Sequence, residues 1–159
     1  MKVFVVDDDE LFTQSLKHAL NEERTDVRTF HTGEECLDNI EKEYPAIVVL
    51  DYFLDGDQRK AMNGIQVMNK IKQVSPDTEV IMLSSQNNVT VAVDTMKYGA
   101  YDYIDKGQNA IAQVQNDVRH ISNAKKKTDD FNRQTNKLKR INIIIVVAVI
   151  VIFILSKIF

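Results

Sequence analysis

Four places in the chain set a short apolar run directly before groups that can do chemistry. Val3-Phe4-Val5-Val6 leads into Asp7, Asp8 and Asp9, and Val48-Val49-Leu50 into Asp51. Met82-Leu83 leads into Ser84 and Ser85, and Tyr103-Ile104 into Asp105 and Lys106. If the runs are parallel strands of one open sheet, everything that follows them collects at the sheet's carboxyl edge, where such sheets bind ligands. Several carboxylates at one edge repel one another and raise each other's pKa. A divalent cation relieves that repulsion, and an all-oxygen carboxylate set suits Mg²⁺. A hydroxyl and an ammonium beside it complete a receptacle for a phosphoryl group. The metal and Lys106 would neutralise its charge, Ser84 would donate to one oxygen, and one carboxylate would be the nucleophile. Acidic residues at strand ends are often only solvated loop residues, but five such coincidences at one edge are hard to set aside.

The elements that must position these groups can be read from periodicity. Runs rich in β-branched or aromatic residues at 2–6, 26–30, 46–50, 79–83 and 101–104 predict strands. Helical spacing between them gives apolar faces: Phe12, Leu16, Ala19 and Leu20; Cys36, Leu37 and Ile40; Ile65, Met68 and Ile71; Ile111, Val114, Val118 and Ile121. Thr32 and Glu35 have the spacing of a capping box, and Gly99 stands where a helix C-cap favours glycine. Strands alternating with helices predict an α/β fold, a parallel sheet covered on both faces.

With Val5-Val6-Asp7-Asp8, Val48-Val49-Leu50-Asp51, Met82-Leu83-Ser84-Ser85, Lys97-Tyr98-Gly99-Ala100 and Tyr101-Asp102-Tyr103-Ile104-Asp105-Lys106 in this order, residues 1–121 resemble the receiver domain of two-component response regulators. The resemblance implies a flavodoxin-like, doubly wound (βα)5 sheet of strand order 2-1-3-4-5. It implies Asp51 as phosphoacceptor and Asp7 and Asp8 as Mg²⁺-site acids, with the backbone carbonyl of Phe53 as a further metal ligand. It makes Ser84 the switch hydroxyl, Lys106 the phosphate-sensing lysine and Tyr103 the switch aromatic. The phosphoryl donor it implies is a histidine kinase or a phosphotransfer protein. Such a protein is no enzyme beyond catalysing its own phosphorylation and dephosphorylation.

The sequence departs from the family pattern in places. Gly107 stands where proline is usual, so the Lys106–Gly107 bond is expected to be trans. The stretch from Asp51 to Gly64 is longer than usual, and its Asp55-Gly56-Asp57 does not complete a calcium loop and is expected to be a solvated turn. Ser84 replaces the commoner threonine. Tyr52 and Phe53 follow Asp51 where a metal-dependent phosphohydrolase on a similar sheet would need a second acid. His18, His31 and His120 lack metal-ligand spacing, Cys36 reads as a small core residue, and Met62, Met68, Met82 and Met96 as core and boundary filler.

The net charge of −3 hides an asymmetry: residues 1–121 carry 12 Lys and Arg against 21 Asp and Glu, a net of −9, whereas 122–159 carry 8 against 2, a net of +6. An acidic body is a poor general nucleic-acid binder. One cysteine excludes an internal disulfide, and the N-terminus does not read as a secretory signal. Residues 122–140 are basic and have only Phe131 and Leu138 as large apolar side chains, which predicts a solvated linker or a helix extension. In 141–159 only Asn142, Ser156 and Lys157 are polar or charged. As a helix at about 1.5 Å per residue this is about 28 Å, close to a bilayer's hydrocarbon thickness. A C-terminal single-pass transmembrane helix is therefore expected. Lys137, Lys139 and Arg140 would leave the receiver on the cytoplasmic face of the cell membrane. A helix buried in an oligomer and a β-prone segment are the alternatives. No room for a helix-turn-helix is expected in what remains. Two functions stand open: a membrane-tethered phosphorylation switch acting on a downstream protein, and a membrane-anchored scaffold whose receiver does not switch.

Overall fold

The computed structural model describes residues 1–21, 25–54, 62–85 and 89–158, with side chains left undescribed at 89–90, 148–151 and 153–158. The chain divides into two compact units, Met1–Ile121 and Ser122–Phe159.

In the first unit strands and helices alternate: β1 (Lys2–Val6), α1 (Glu10–Asn21), β2 (Asp26–Phe30), α2 (Gly33–Glu43), β3 (Ile47–Asp51), α3 (Gly64–Val74), β4 (Glu79–Ser84), α4 (Val89–Lys97), β5 (Asp102–Asp105) and α5 (Ala110–Ile158), whose residues through Ile121 belong here. All strand pairs are parallel and the order is β2-β1-β3-β4-β5, as the resemblance implies. The order reverses beside β1, so a crevice opens between the carboxyl ends of β1 and β3.

Side chains alternate between two cores, as a pleated strand requires. Val3, Val5, Val49, Ile81 and Leu83 pack with Leu16, Leu20, Val114 and Val118 of α1 and α5. Phe4, Val6, Val48, Leu50 and Met82 face the other way, onto Cys36 and Ile40 of α2 and Met68 and Ile71 of α3. Ile47, Val48, Val49 and Leu50 are fully buried, so each stabilises the fold by about 1.5–3 kcal/mol and β3 becomes the sheet's rigid centre. Cys36 lies in this core, where burial pushes its thiol up to about 12.

Local signals fix the helix ends. Thr32 caps α2, its hydroxyl accepting from Glu35 N–H at 3.2 Å, while the Glu35 carboxylate accepts from His31 N–H. Asn63 and Gln66 form a reciprocal capping box at the start of α3. Gly99 has φ +92°, the left-handed conformation for which glycine is suited. There is no cis peptide bond among the described residues, in line with glycine after Lys106. Asp55-Gly56-Asp57 lies outside the described residues. Met68 and Met82 are core side chains, but Met96 is exposed, because α4 turns its Val93 and Met96 to solvent.

The second unit is the remainder of α5. The basic stretch 122–140 is helical throughout, the second of the two forms expected for it. The expected membrane-spanning helix at 141–159 is not found: among the described residues no helix is long and apolar enough to cross a membrane. Most of that expectation falls outside the described residues, since Phe159 and the side chains of 148–151 and 153–158 are not described.

Candidate functional site

The carboxyl edge of the sheet carries the chemistry-bearing residues. Val6 of β1 pairs with Leu50 of β3, and the next residues, Asp7 and Asp51, enter the crevice side by side. Asp51 pairs with Leu83, which places Ser84 one residue further along β4, and Ser84 pairs with Asp105, so that Lys106 follows at the same edge. The Lys106 N–H donates to the Ser84 carbonyl at 2.8 Å, fixing the loop after β5 to β4. Sequence separation is thereby erased by register alone.

At the centre, the Lys106 ammonium lies 2.7 Å from Asp51 Oδ2 and 2.7 Å from Asp7 Oδ2. Asp51 Oδ2 accepts a hydrogen bond from it, and Asp7 Oδ2 is its second ion-pair partner at the same distance. The other oxygens bond to the backbone: Asp7 Oδ1 accepts from Asp9 N–H at 3.0 Å, and Asp51 Oδ1 from Phe53 N–H at 3.3 Å. The face of Phe12 covers the ammonium, its ring centroid 5.2 Å from Nζ. Thr13, also buried, reaches the Asp7 carbonyl at 3.4 Å.

Burial and charge oppose each other here. Burial pushes Asp51 up to about 6, with Asp7 adding in the same direction, although the hydrogen bond and charge of Lys106 pull it down. Asp7 is raised for the same first reason, its burial outweighing Lys106. Burial would lower Lys106, but its bonds to Asp51 and Asp7 outweigh that and raise it. One ammonium is shared by two carboxylates, so the cluster lacks positive charge.

A divalent cation fits that deficit. Ligand atoms of Asp7, Asp8 and Asp51 lie within 4.8 Å of one another, with Asp8 exposed at the mouth. Asp7 Oδ2 is buried and meets only the Lys106 ammonium that it shares with Asp51, so a hard cation would add the positive charge this oxygen has to share. Phe53 stands beside them through its N–H to Asp51; its carbonyl is the ligand the resemblance implies.

Of the other expected residues, Ser84 is buried at the same edge, and Tyr103 is half-buried against the core on the α2–α3 side. The three histidines are exposed and none joins a metal-ligating group among the described residues. Sequence reasoning missed Gly64. A Cβ there would lie 2.5 Å from the Asp51 carbonyl oxygen and 2.8 Å from Tyr52 Cα, so only glycine lets α3 start this close to the backbone of Asp51. The Phe12 contact was missed too, because Phe12 reads from its spacing as a core residue.

A carboxylate whose folded pKa lies above its unfolded value stabilises the fold at low pH. That contribution is lost as pH rises through the folded pKa. For Asp51 the loss runs from about pH 4 to about pH 6. In metal-free buffer at pH 7.5, Asp51→Asn is therefore expected to be more stable than wild type, by about 1–3 kcal/mol. Thermal unfolding in a chelator checks this, and the gap should close on lowering the pH towards 4 or on adding Mg²⁺. Equal stabilities at both pH values would contradict the electrostatic description.

The family model described as response regulator receiver domain matches residues 3–118. The nitrogen assimilation regulatory protein NtrX of Azorhizobium caulinodans is 31% identical over 108 residues, which are 68% of this chain and 23% of that protein. The response regulator MprA of Mycobacterium avium is 29% identical over 106 residues, 67% of this chain and 44% of that one. The chain thus spans from about a quarter to about half the length of the curated relatives it matches. Among solved structures, the receiver domain of a LuxO repressor protein from Vibrio parahaemolyticus superposes with TM-score 0.69 at 28% identity, covering 80% of this chain and 94% of that one. The NtrX receiver domain of Brucella abortus gives 0.67 at 29%, covering 76% and 98%. With the parallel sheet, the acidic crevice and these likenesses together, the chain belongs to the response regulator receiver family.

Proposed function

We propose that this protein is a Mg²⁺-dependent phosphorylation switch whose phosphoacceptor is Asp51. The observation that carries the proposal is the cluster in which Lys106 holds Asp51 and Asp7 at 2.7 Å each, at the sheet's switch point. Asp7, Asp8, Asp51 and the Phe53 carbonyl would hold the metal, which when bound supplies charge neutralisation for the phosphoryl oxygens.

The chain's own residues would do the rest. A carboxylate oxygen of Asp51 attacks the phosphorus of a phosphohistidine on a histidine kinase or phosphotransfer protein. The O–P bond forms as the N–P bond breaks, and the imidazole leaves with the electron pair. Lys106 exchanges its Asp51 contact for a phosphoryl oxygen, and Ser84 donates its hydroxyl proton in a hydrogen bond to another. Those contacts exist only in the phosphorylated state, so they shift a two-state equilibrium that Tyr103 and the loop before α4 report to a downstream protein. Water later hydrolyses the acyl phosphate. No catalysis beyond this self-phosphorylation and dephosphorylation is proposed.

Residues 141–159 would tether this switch to the cytoplasmic face of the cell membrane. What supports the tether is the sequence: an apolar stretch directly after Lys137, Lys139 and Arg140. Confinement would raise the effective concentration of the receiver near membrane-bound kinases. Nucleic-acid binding by the −9 receiver is not part of the proposal.

Incubation with acetyl phosphate and Mg²⁺ should produce one hydroxylamine-labile phosphate per chain. Asp51→Asn should reduce it to background and Ser84→Ala should leave it nearly intact; labelling of Asp51→Asn at the wild-type level would overturn the assignment. For the tether, full-length protein should fractionate with membranes and resist alkaline carbonate. Release into the soluble fraction by carbonate would rule out a spanning helix.

A further inference from the structure

The second unit is a helix whose outward pattern the switch does not use. From Ala124 the residues Ala124, Thr128, Phe131, Thr135 and Leu138 follow one another at spacings of four, three, four and three, and Asn142 and Ile145 continue the same rhythm. This is the 3.5-residue repeat of a coiled-coil seam, with Thr128, Thr135 and Asn142 at the a positions and Ala124, Phe131, Leu138 and Ile145 at d. Phe131 is 68% exposed and Leu138 63%, although both are large and apolar. The two threonines fit such a seam. Thr128 Oγ1 donates to the Ala124 carbonyl at 3.1 Å and Thr135 Oγ1 to the Phe131 carbonyl at 3.0 Å. With the hydroxyls satisfied inside the helix, the methyl groups can be buried without stranding a polar atom. The positions on the opposite side from 122 to 140, among them Lys126, Asp129, Asp130, Arg133 and Lys137, are all polar.

We infer that this seam pairs with the same seam of a second copy of the chain, in parallel and in register, making the protein a dimer through α5 beyond the receiver. The flanking charges choose the orientation. In a parallel pair the flanking g and e′ positions bring Lys127 opposite Asn132 and Gln134 opposite Lys139, so no two lysines meet. In the antiparallel arrangement that keeps the same seam, Lys125 of each copy faces Lys139 of the other, and both contacts repel. Asn142 at an a position matches the device by which two-stranded parallel coils fix their register. This inference does not depend on phosphorylation or on a membrane tether: it concerns the stretch 124–145, and the apolar residues that follow are needed for neither seam nor orientation.

The test uses the full chain in mild detergent. Cys36 is buried, so a cysteine introduced on α5 is the reactive one. Under mild oxidation Leu138→Cys should be captured as a covalent dimer of twice 18.2 kDa in high yield, while Arg133→Cys, on the outer side, should remain largely monomeric. Phe131→Glu combined with Leu138→Glu should raise the dimer dissociation constant by on the order of tenfold or more in sedimentation. Receiver melting temperature and Asp51 labelling should be unchanged in that variant. A monomeric wild type at tens of micromolar would overturn the inference. So would equal capture at the two cysteines. A dimer that survives the paired glutamates would place the association in the apolar segment that follows, and would equally overturn it. A dimer in which Leu138→Cys is not captured would contradict the parallel register.

Discussion

The ammonium of Lys106 held between Asp7 and Asp51 is the contact on which the rest of the site depends. Two buried carboxylates side by side, with burial raising both, would otherwise be a poorly stable arrangement. The lysine reaches them from β5, across the register of β4 and β3, because four parallel strands bring their carboxyl ends into one row. Its long stem crosses the gap while the ring of Phe12 covers the charge. Gly64 lets α3 begin directly against the backbone of Asp51, and β3, buried on both faces, holds that backbone still.

The same arrangement explains how a small chemical event can be felt elsewhere. One cation serving two carboxylates leaves the cluster short of positive charge, so the proposed divalent ion and phosphoryl group would redistribute contacts that already exist. Lys106 is bonded through its own N–H to the Ser84 carbonyl at the end of β4, so a movement of one is transmitted to the other. After β4 the next helix is α4, whose Val93 and Met96 face solvent while Thr95 is fully buried, its hydroxyl bonded to the Val91 carbonyl. With Thr95 the one fully buried side chain among those described in it, α4 can shift at lower cost than β3.

Much of this was legible in the sequence because it is written in local pattern. Apolar runs ending in Asp7, Asp51, Ser84 and Lys106 name the strands and the edge together, Thr32 with Glu35 marks a helix start, and Gly99 marks a helix end. What was not legible depends on partners far away in sequence or on single backbone angles. Gly64 looks like any loop glycine until the carbonyl of Asp51 is placed 2.5 Å from its missing Cβ. Met96 has the same composition signal as Met82, yet one is exposed and the other fully buried. Tyr44 closes α2 in the left-handed region at φ 44°, a role glycine usually signals, and only the following Pro45 hints at the stop. Asp117 of α5, pushed up to about 6 by burial and then by its hydrogen bond with Asp102, reads in the sequence as an ordinary surface acid. The basic stretch after Ile121 could be a linker or a helix by composition; that it is helical follows from α5 not being interrupted there.

In the proposed switch, charge placed on Asp51 is sensed by Ser84 and Lys106 and passed to the face beside them. Backbone amide spectra of the wild-type protein with Mg²⁺, recorded before and after adding beryllofluoride as a phosphoryl mimic, test it most directly. Large shifts should appear around Asp51 and Lys106 and extend through 91–103, with the amides of β2 and α2 nearly unmoved. Spectra that change only at Asp51 and its immediate neighbours, or not at all, would contradict the claim and leave a receiver fold that does not switch.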